Sequence, residues 1–82
     1  MDSEIRSVLA THARLASPIE AIGDDTDLYD AGMTSHASVT VMLALEDAFD
    51  IEFPELLLRK ATFGSISAIR AALEQLTSAT TV

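Results

Sequence analysis

The stretch with chemistry to offer is Asp30-Ala31-Gly32-Met33-Thr34-Ser35. It is a polar loop that tightens at Gly32 and delivers a serine to the start of an apolar-periodic segment. A hydroxyl in the first turn of a helix lies beside backbone N–H groups that have no intrahelical acceptor, at the positive end of the helix dipole. If the Ser35 oxygen is esterified to a phosphate, the added negative charge falls where a helix N-terminus favours anions. The plainer role for Ser35, or for Thr34 before it, is an N-cap, which Ser and Thr commonly are. Both readings stay open on local grounds. No catalytic residue set stands beside this serine: no His, Asp and Ser are spaced as a triad, and no glycine-rich phosphate cradle or metal-ligand cluster is visible.

The acids of the preceding loop, Asp24, Asp25, Asp27 and Asp30, invite a calcium reading and fail its test. With Asp25 as first ligand, Tyr29 takes the fifth position, Asp30 the glycine position and His36 the place of the final glutamate. His12 falls inside an apolar stripe, where a lone histidine is usually a neighbour of the core.

The whole composition narrows the field further. Eighty-two residues make one small domain. Nearly half are apolar, so the chain can fold. There is no cysteine, hence no disulfide and no thiolate metal site. No apolar run approaches the ~20 residues of a membrane span, and nothing resembles a signal peptide. A cytoplasmic protein without a membrane is expected. Thirteen acids against five bases give a net charge of −8, which argues against nucleic acid and suits a partner with a basic face.

The elements that must position Ser35 follow from periodicity. Ile5, Val8, Leu9, His12, Leu15 and Ala16 mark a first amphipathic helix that Ser17-Pro18 ends. Ile19 to Thr34 is a long connection pinned by Ile19, Ile22, Leu28 and Tyr29, and a loop of this length is often functional. A second helix is predicted over 35–49, with Val41, Met42, Leu45, Ala48 and Phe49 on its core face. Ser38 projects coreward. Val39 and Leu43 project to the far side with His36, Thr40 and Asp47, as a small docking patch would. Pro54-Glu55 starts a brief third helix through Lys60, in which Leu56, Leu57 and Leu58 cannot all face inward. Ser65 caps a last helix with Ile66, Ile69, Leu73 and Leu76 on its stripe, and 77–82 reads as a frayed polar tail beyond a domain over 1–76. The expected fold is all-α: a bundle of three main helices and one short helix, with a long first loop.

The run from Asp30 to Ser35 resembles the Asp-x-Gly-x-x-Ser attachment signature of acyl carrier proteins and their peptidyl-carrier relatives. The resemblance continues through Val39 and the run Leu43-Ala44-Leu45-Glu46-Asp47-Ala48-Phe49-Asp50-Ile51-Glu52-Phe53-Pro54, and closes with Thr62-Phe63-Gly64-Ser65-Ile66. It covers nearly the whole chain. It implies a carrier and not an enzyme, with 4′-phosphopantetheine from coenzyme A attached to Ser35 by a phosphopantetheinyl transferase, and with Asp30 and Gly32 as the other members of the signature. The arm's thiol would hold cargo as a thioester. The resemblance also implies a cargo-loading ligase and a downstream acyl or aminoacyl transferase as partners, docking on His36, Val39, Thr40, Leu43, Glu46 and Asp47. Two departures bear on specificity. His36 stands where the family often has leucine, and Leu56-Leu57-Leu58-Arg59-Lys60 replaces a stretch that is acidic in fatty-acid carriers.

The lead-in Thr62-Phe63-Gly64-Ser65-Ile66 is closer to carriers of amino acids, so a discrete aminoacyl carrier served by a synthetase-like ligase is expected. A specialised fatty-acyl or polyketide carrier is the alternative. From another class comes a non-modified docking module in which Ser35 is only a cap.

Overall fold

A computed structural model describes residues 2–79, with the side chains of Asp2, Ser78 and Ala79 left undescribed. Three α-helices carry the fold: α1 (Asp2–His12), α2 (Ser35–Phe49) and α3 (Ile66–Ala79). Short 3₁₀ turns at Ile19–Ala21, Glu55–Leu57 and Lys60–Phe63 punctuate the links, and no strand occurs among the described residues. No helix is long and apolar enough to cross a membrane. Residues 80–82, part of the expected tail, lie outside the described residues. Thr77 belongs to α3, which continues to Ala79 rather than fraying after Leu76, and the Thr77 hydroxyl donates to the Leu73 carbonyl at 2.8 Å.

Each helix turns its apolar stripe to one shared core. Ile5 and Leu9 come from α1, Val41 and Leu45 from α2, and Ile66, Ile69 and Leu73 from α3, all fully buried. Phe53 and Phe63 close the core from the second long link as an edge-to-face pair, with ring centroids 5.3 Å apart. Burying a side chain of this size contributes roughly 1.5–3 kcal/mol, and the entropy of ordering the chain opposes it.

Four local expectations are corrected. The first helix stops at His12, well before Ser17-Pro18, because Arg14 adopts a left-handed conformation (φ 57°) that turns the chain away. The brief third helix is two 3₁₀ turns: Leu58 leaves helical geometry (ψ 64°) and Arg59 is extended, which lets Leu57 reach the core while Leu56 and Leu58 stay exposed. Ala48 is exposed, since its methyl falls short of the core that Phe49 beside it reaches. Ser38 is half-buried and its hydroxyl donates to the Ser35 carbonyl at 2.7 Å, so it flanks a surface cleft instead of entering the core.

The long loop is fixed at both ends. Asp24 accepts from Arg6 of α1 at 2.8 Å and from Arg70 of α3 at 3.3 Å, while the Ser67 N–H donates to its carbonyl. Arg6 also donates to the carbonyls of Ile19 and Ile22. The two guanidiniums hold the Asp24 carboxyl below the usual carboxylate range. Farther along, Leu28 is buried and its N–H donates to the Gly64 carbonyl at 2.8 Å. The acids that suggested a cation site are thus partly spent inside the fold.

Candidate functional site

Ser35 reaches its position through a short chain of constraints. The Asp27 carboxylate accepts from the N–H groups of Tyr29 and Asp30, tightening the turn that carries the exposed Asp30 side chain. Gly32 follows with φ +120°, a conformation that L side chains rarely adopt, and a Cβ there would sit 3.0 Å from the Ala16 backbone nitrogen. That close approach is what lets the Ala16 N–H donate to the Ala31 carbonyl at 2.8 Å and dock the end of the loop on its beginning. Met33, which periodicity did not single out, then plugs the core at 2% exposure. Its neighbour Ala37 is buried as well.

Thr34, not Ser35, is the cap. Its hydroxyl oxygen accepts from the Ala37 N–H at 3.0 Å, and its backbone is extended as an N-cap requires. Ser35 is therefore the first helical residue, exposed, and its hydroxyl makes no hydrogen bond among the described residues. The helix start supplies N–H groups with no intrahelical acceptor. Here the ambiguity left by the residue types is resolved by geometry: the fold uses the threonine and leaves the serine available.

The six residues expected to meet partners divide. His36, Thr40 and Asp47 are exposed, and Val39 and Leu43 keep 52% and 55% of their surface open. This is a large exposure for aliphatic side chains on a helix whose other face is fully buried. Glu46 is half-buried, and its Oε2 accepts from the Phe53 N–H at 2.8 Å, fastening the link that follows the left-handed Asp50. Glu46 thus has a structural task in addition to any at the surface.

Beside Ser35 lies an open, mostly apolar cleft of about 370 Å³, walled by Val39 and Met42 of α2 and by Leu58, Arg59, Lys60 and Phe63 across from them. Lys60 is set by Tyr29: the phenol donates to its carbonyl at 3.1 Å and the ammonium stands 4.8 Å over the ring. Nothing in the sequence pointed to this pair of cations beside Ser35, because only folding brings 58–63 against α2. Among the described residues no three His, Asp or Glu side chains gather to hold a metal ion.

The residues present fit a covalently attached anion: a free hydroxyl at a helix start, N–H groups to face a phosphodiester, and cations across the cleft. The family pattern described as a phosphopantetheine attachment site matches residues 3–75. An aminoacyl carrier protein from Agrobacterium fabrum is 51% identical over 69 residues, 84% of this chain and 83% of the relative. The chain belongs to the phosphopantetheine-attachment family of carrier proteins.

Its cofactor is therefore covalent 4′-phosphopantetheine. The fold agrees with solved carrier proteins. One, from Agrobacterium tumefaciens, was crystallised with an engineered Bradyrhizobium japonicum glycine:[carrier protein] ligase and AMP; it is 47% identical with a TM-score of 0.88, over 90% of this chain and 99% of that one. A solution structure from Agrobacterium tumefaciens is 43% identical with a TM-score of 0.77, over 99% and 98% of the two chains.

Proposed function

We propose that this protein is an aminoacyl carrier, with Ser35 as its attachment residue and an amino acid as its cargo. The observation that carries the reading is the division of labour between Thr34 and Ser35: the cap is filled by one hydroxyl and the other stands exposed without an internal partner. The docking-module alternative makes Ser35 the cap, and Thr34 holds that place instead.

With a phosphopantetheinyl transferase, the Ser35 oxygen would lose its proton and bond to the pantetheine-side phosphorus of coenzyme A as the pyrophosphate bridge breaks and adenosine 3′,5′-bisphosphate leaves. The resulting phosphodiester would face the N–H groups of the first turn. The arm supplies the sulfur that a cysteine-free chain lacks, holding cargo as a thioester. The protein's own part is presentation, not catalysis. Gly32 and Thr34 fix the start of α2, and Val39 and Leu43 offer an apolar contact between the exposed His36 and Asp47. The charge of −8 favours encounter with a basic partner surface.

The aminoacyl cargo is supported by the 51% identical aminoacyl carrier and by the similar carrier crystallised with a glycine-activating ligase. In this reading an adenylate-forming ligase loads the arm and an aminoacyl transferase unloads it. The test is to load the phosphopantetheinylated protein with such a ligase, ATP and mixed amino acids, then release the cargo with mild base and weigh it. A released amino acid is expected; loading by fatty-acyl ligases alone would contradict the reading.

A further inference from the structure

Lys60 is the one lysine in the sequence, and the carrier reading gives it no task. An amine near a thioester is a chemical hazard, because it attacks the carbonyl and forms the more stable amide. The four arginines carry charge without that hazard, since a guanidinium stays protonated. Lys60 is exposed and stands across from Ser35. Its ammonium lies 4.8 Å over the Tyr29 ring, and the phenol of the same tyrosine donates to the Lys60 carbonyl at 3.1 Å. Tyr29 is half-buried and its N–H donates to the Asp27 carboxylate, which fixes the ring in the turn before Gly32. Among the described residues no carboxylate pairs with Lys60, so the ring is what holds the ammonium.

We propose that Lys60 is an internal acceptor for the protein's own cargo, and that Tyr29 restrains the transfer by keeping the ammonium on its ring. The inference rests on thioester loading at Ser35. A flexible tether rooted at Ser35 carries its acyl end past Lys60 at high effective concentration, so the reaction needs no second protein. In the step, the Nζ atom gives one proton to solvent and attacks the thioester carbonyl carbon. The C–N bond forms as the C–S bond breaks, and a second proton from the nitrogen ends on the arm's sulfur. The products are an amide on Lys60 and a free thiol arm, with no oxidant or reductant required. Only an amine that has lost its proton carries the lone pair this attack needs. The face of an aromatic ring attracts the cation instead. Tyr29 thus guards the cargo against the nearest amine of the chain's own side chains.

The experiment loads the phosphopantetheinylated full chain with glycine, the smallest amino acid, using an adenylate-forming ligase. The ligase and ATP are then removed and the protein is held in near-neutral buffer. Hydroxylamine releases acyl groups held as thioesters and leaves amides, so the intact mass afterwards counts transferred cargo and peptide mapping places it. The parent should slowly gain one resistant glycyl group at Lys60, and Lys60→Arg should gain none there. Tyr29→Leu, checked for unchanged NMR signal dispersion, should gain it about two- to fivefold faster, the change expected from losing an exposed cation–π contact. Tyr29→Gln takes its place if the leucine variant does not fold. Tyr29→Phe keeps the ring and should stay near the parent rate. No resistant group at Lys60 in any of these chains would overturn the acceptor, and equal rates with and without the ring would overturn the restraint. A chain that gains its arm but forms no glycyl thioester would instead overturn the aminoacyl reading and the inference with it.

Discussion

The two ends of the long loop make opposite use of polar residues. At the Asp24 end, one carboxylate takes two arginines from different helices, and Arg6 spans two further carbonyls. At the Ser35 end, the cap and the turn consume Thr34, Asp27 and Gly32, while the serine hydroxyl is left exposed. One end ties helices together; the other leaves one hydroxyl exposed at a helix start, and that is the residue we propose as the attachment site.

That contrast can be broken most severely at Gly32, where the segment leading to Ser35 docks on the start of the loop. Gly32→Val forces a branched side chain into a positive φ and against the Ala16 backbone, at a cost of about 1–3 kcal/mol or more. Urea unfolding should show the loss, and phosphopantetheinylation should slow with it. Leu43→Asp acts on the functional side alone. It should leave the unfolding midpoint nearly unchanged, because Leu43 is half exposed, yet lower ligase kcat/KM on the order of tenfold, the effect of losing about 1.4 kcal/mol of docking.

A smaller change separates cap from attachment site. Thr34→Ala should cost about 1 kcal/mol in stability while the protein still accepts its arm. If Ser35 took over the cap, both effects would vanish and the distinction between the two hydroxyls with them.

The smallest effect is expected at the other end, and it depends on pH. The Asp24 carboxyl titrates below its ordinary value because Arg6 and Arg70 hydrogen-bond its charged form. A lowered folded pKa means that its contribution is fully present above the ordinary carboxylate value and is lost as pH falls through the folded one. Thermal midpoints of Asp24→Asn and the parent should therefore differ at pH 7 and converge as acid is added past the carboxylate range. Loading at pH 7 should be unaffected.

How much of this was legible in the residues depends on how far apart the interacting groups lie. The limits of α2 could be read because its signals are local: a cap-forming Thr-Ser pair, then apolar residues at helical spacing through Phe49. The Ser65 cap on α3 was legible for the same reason, and its hydroxyl oxygen accepts from the Ala68 N–H at 3.1 Å. The end of α1 was not, since an arginine in the left-handed region has no compositional mark. Three consecutive leucines signalled only that one must be exposed; that two 3₁₀ turns replace a helix follows from packing against Tyr29 and α2. The Asp24 clamp joins residues 18 and 46 positions apart, and charge pairing at such range has no sequence signature. The site followed the same division. Ser35 and Gly32 were evident from their spacing, whereas Arg59 and Lys60 entered only once the second link folded over α2.

The most direct test is the intact mass of the parent and of Ser35→Ala, each before and after incubation with coenzyme A, magnesium and a broad-specificity phosphopantetheinyl transferase. A gain of one phosphopantetheine group in the parent, and none in an equally folded Ser35→Ala, is the predicted result. A parent that is folded, unmodified at the start and unchanged in mass at the end would contradict the account, as would a Ser35→Ala variant that still gains the group.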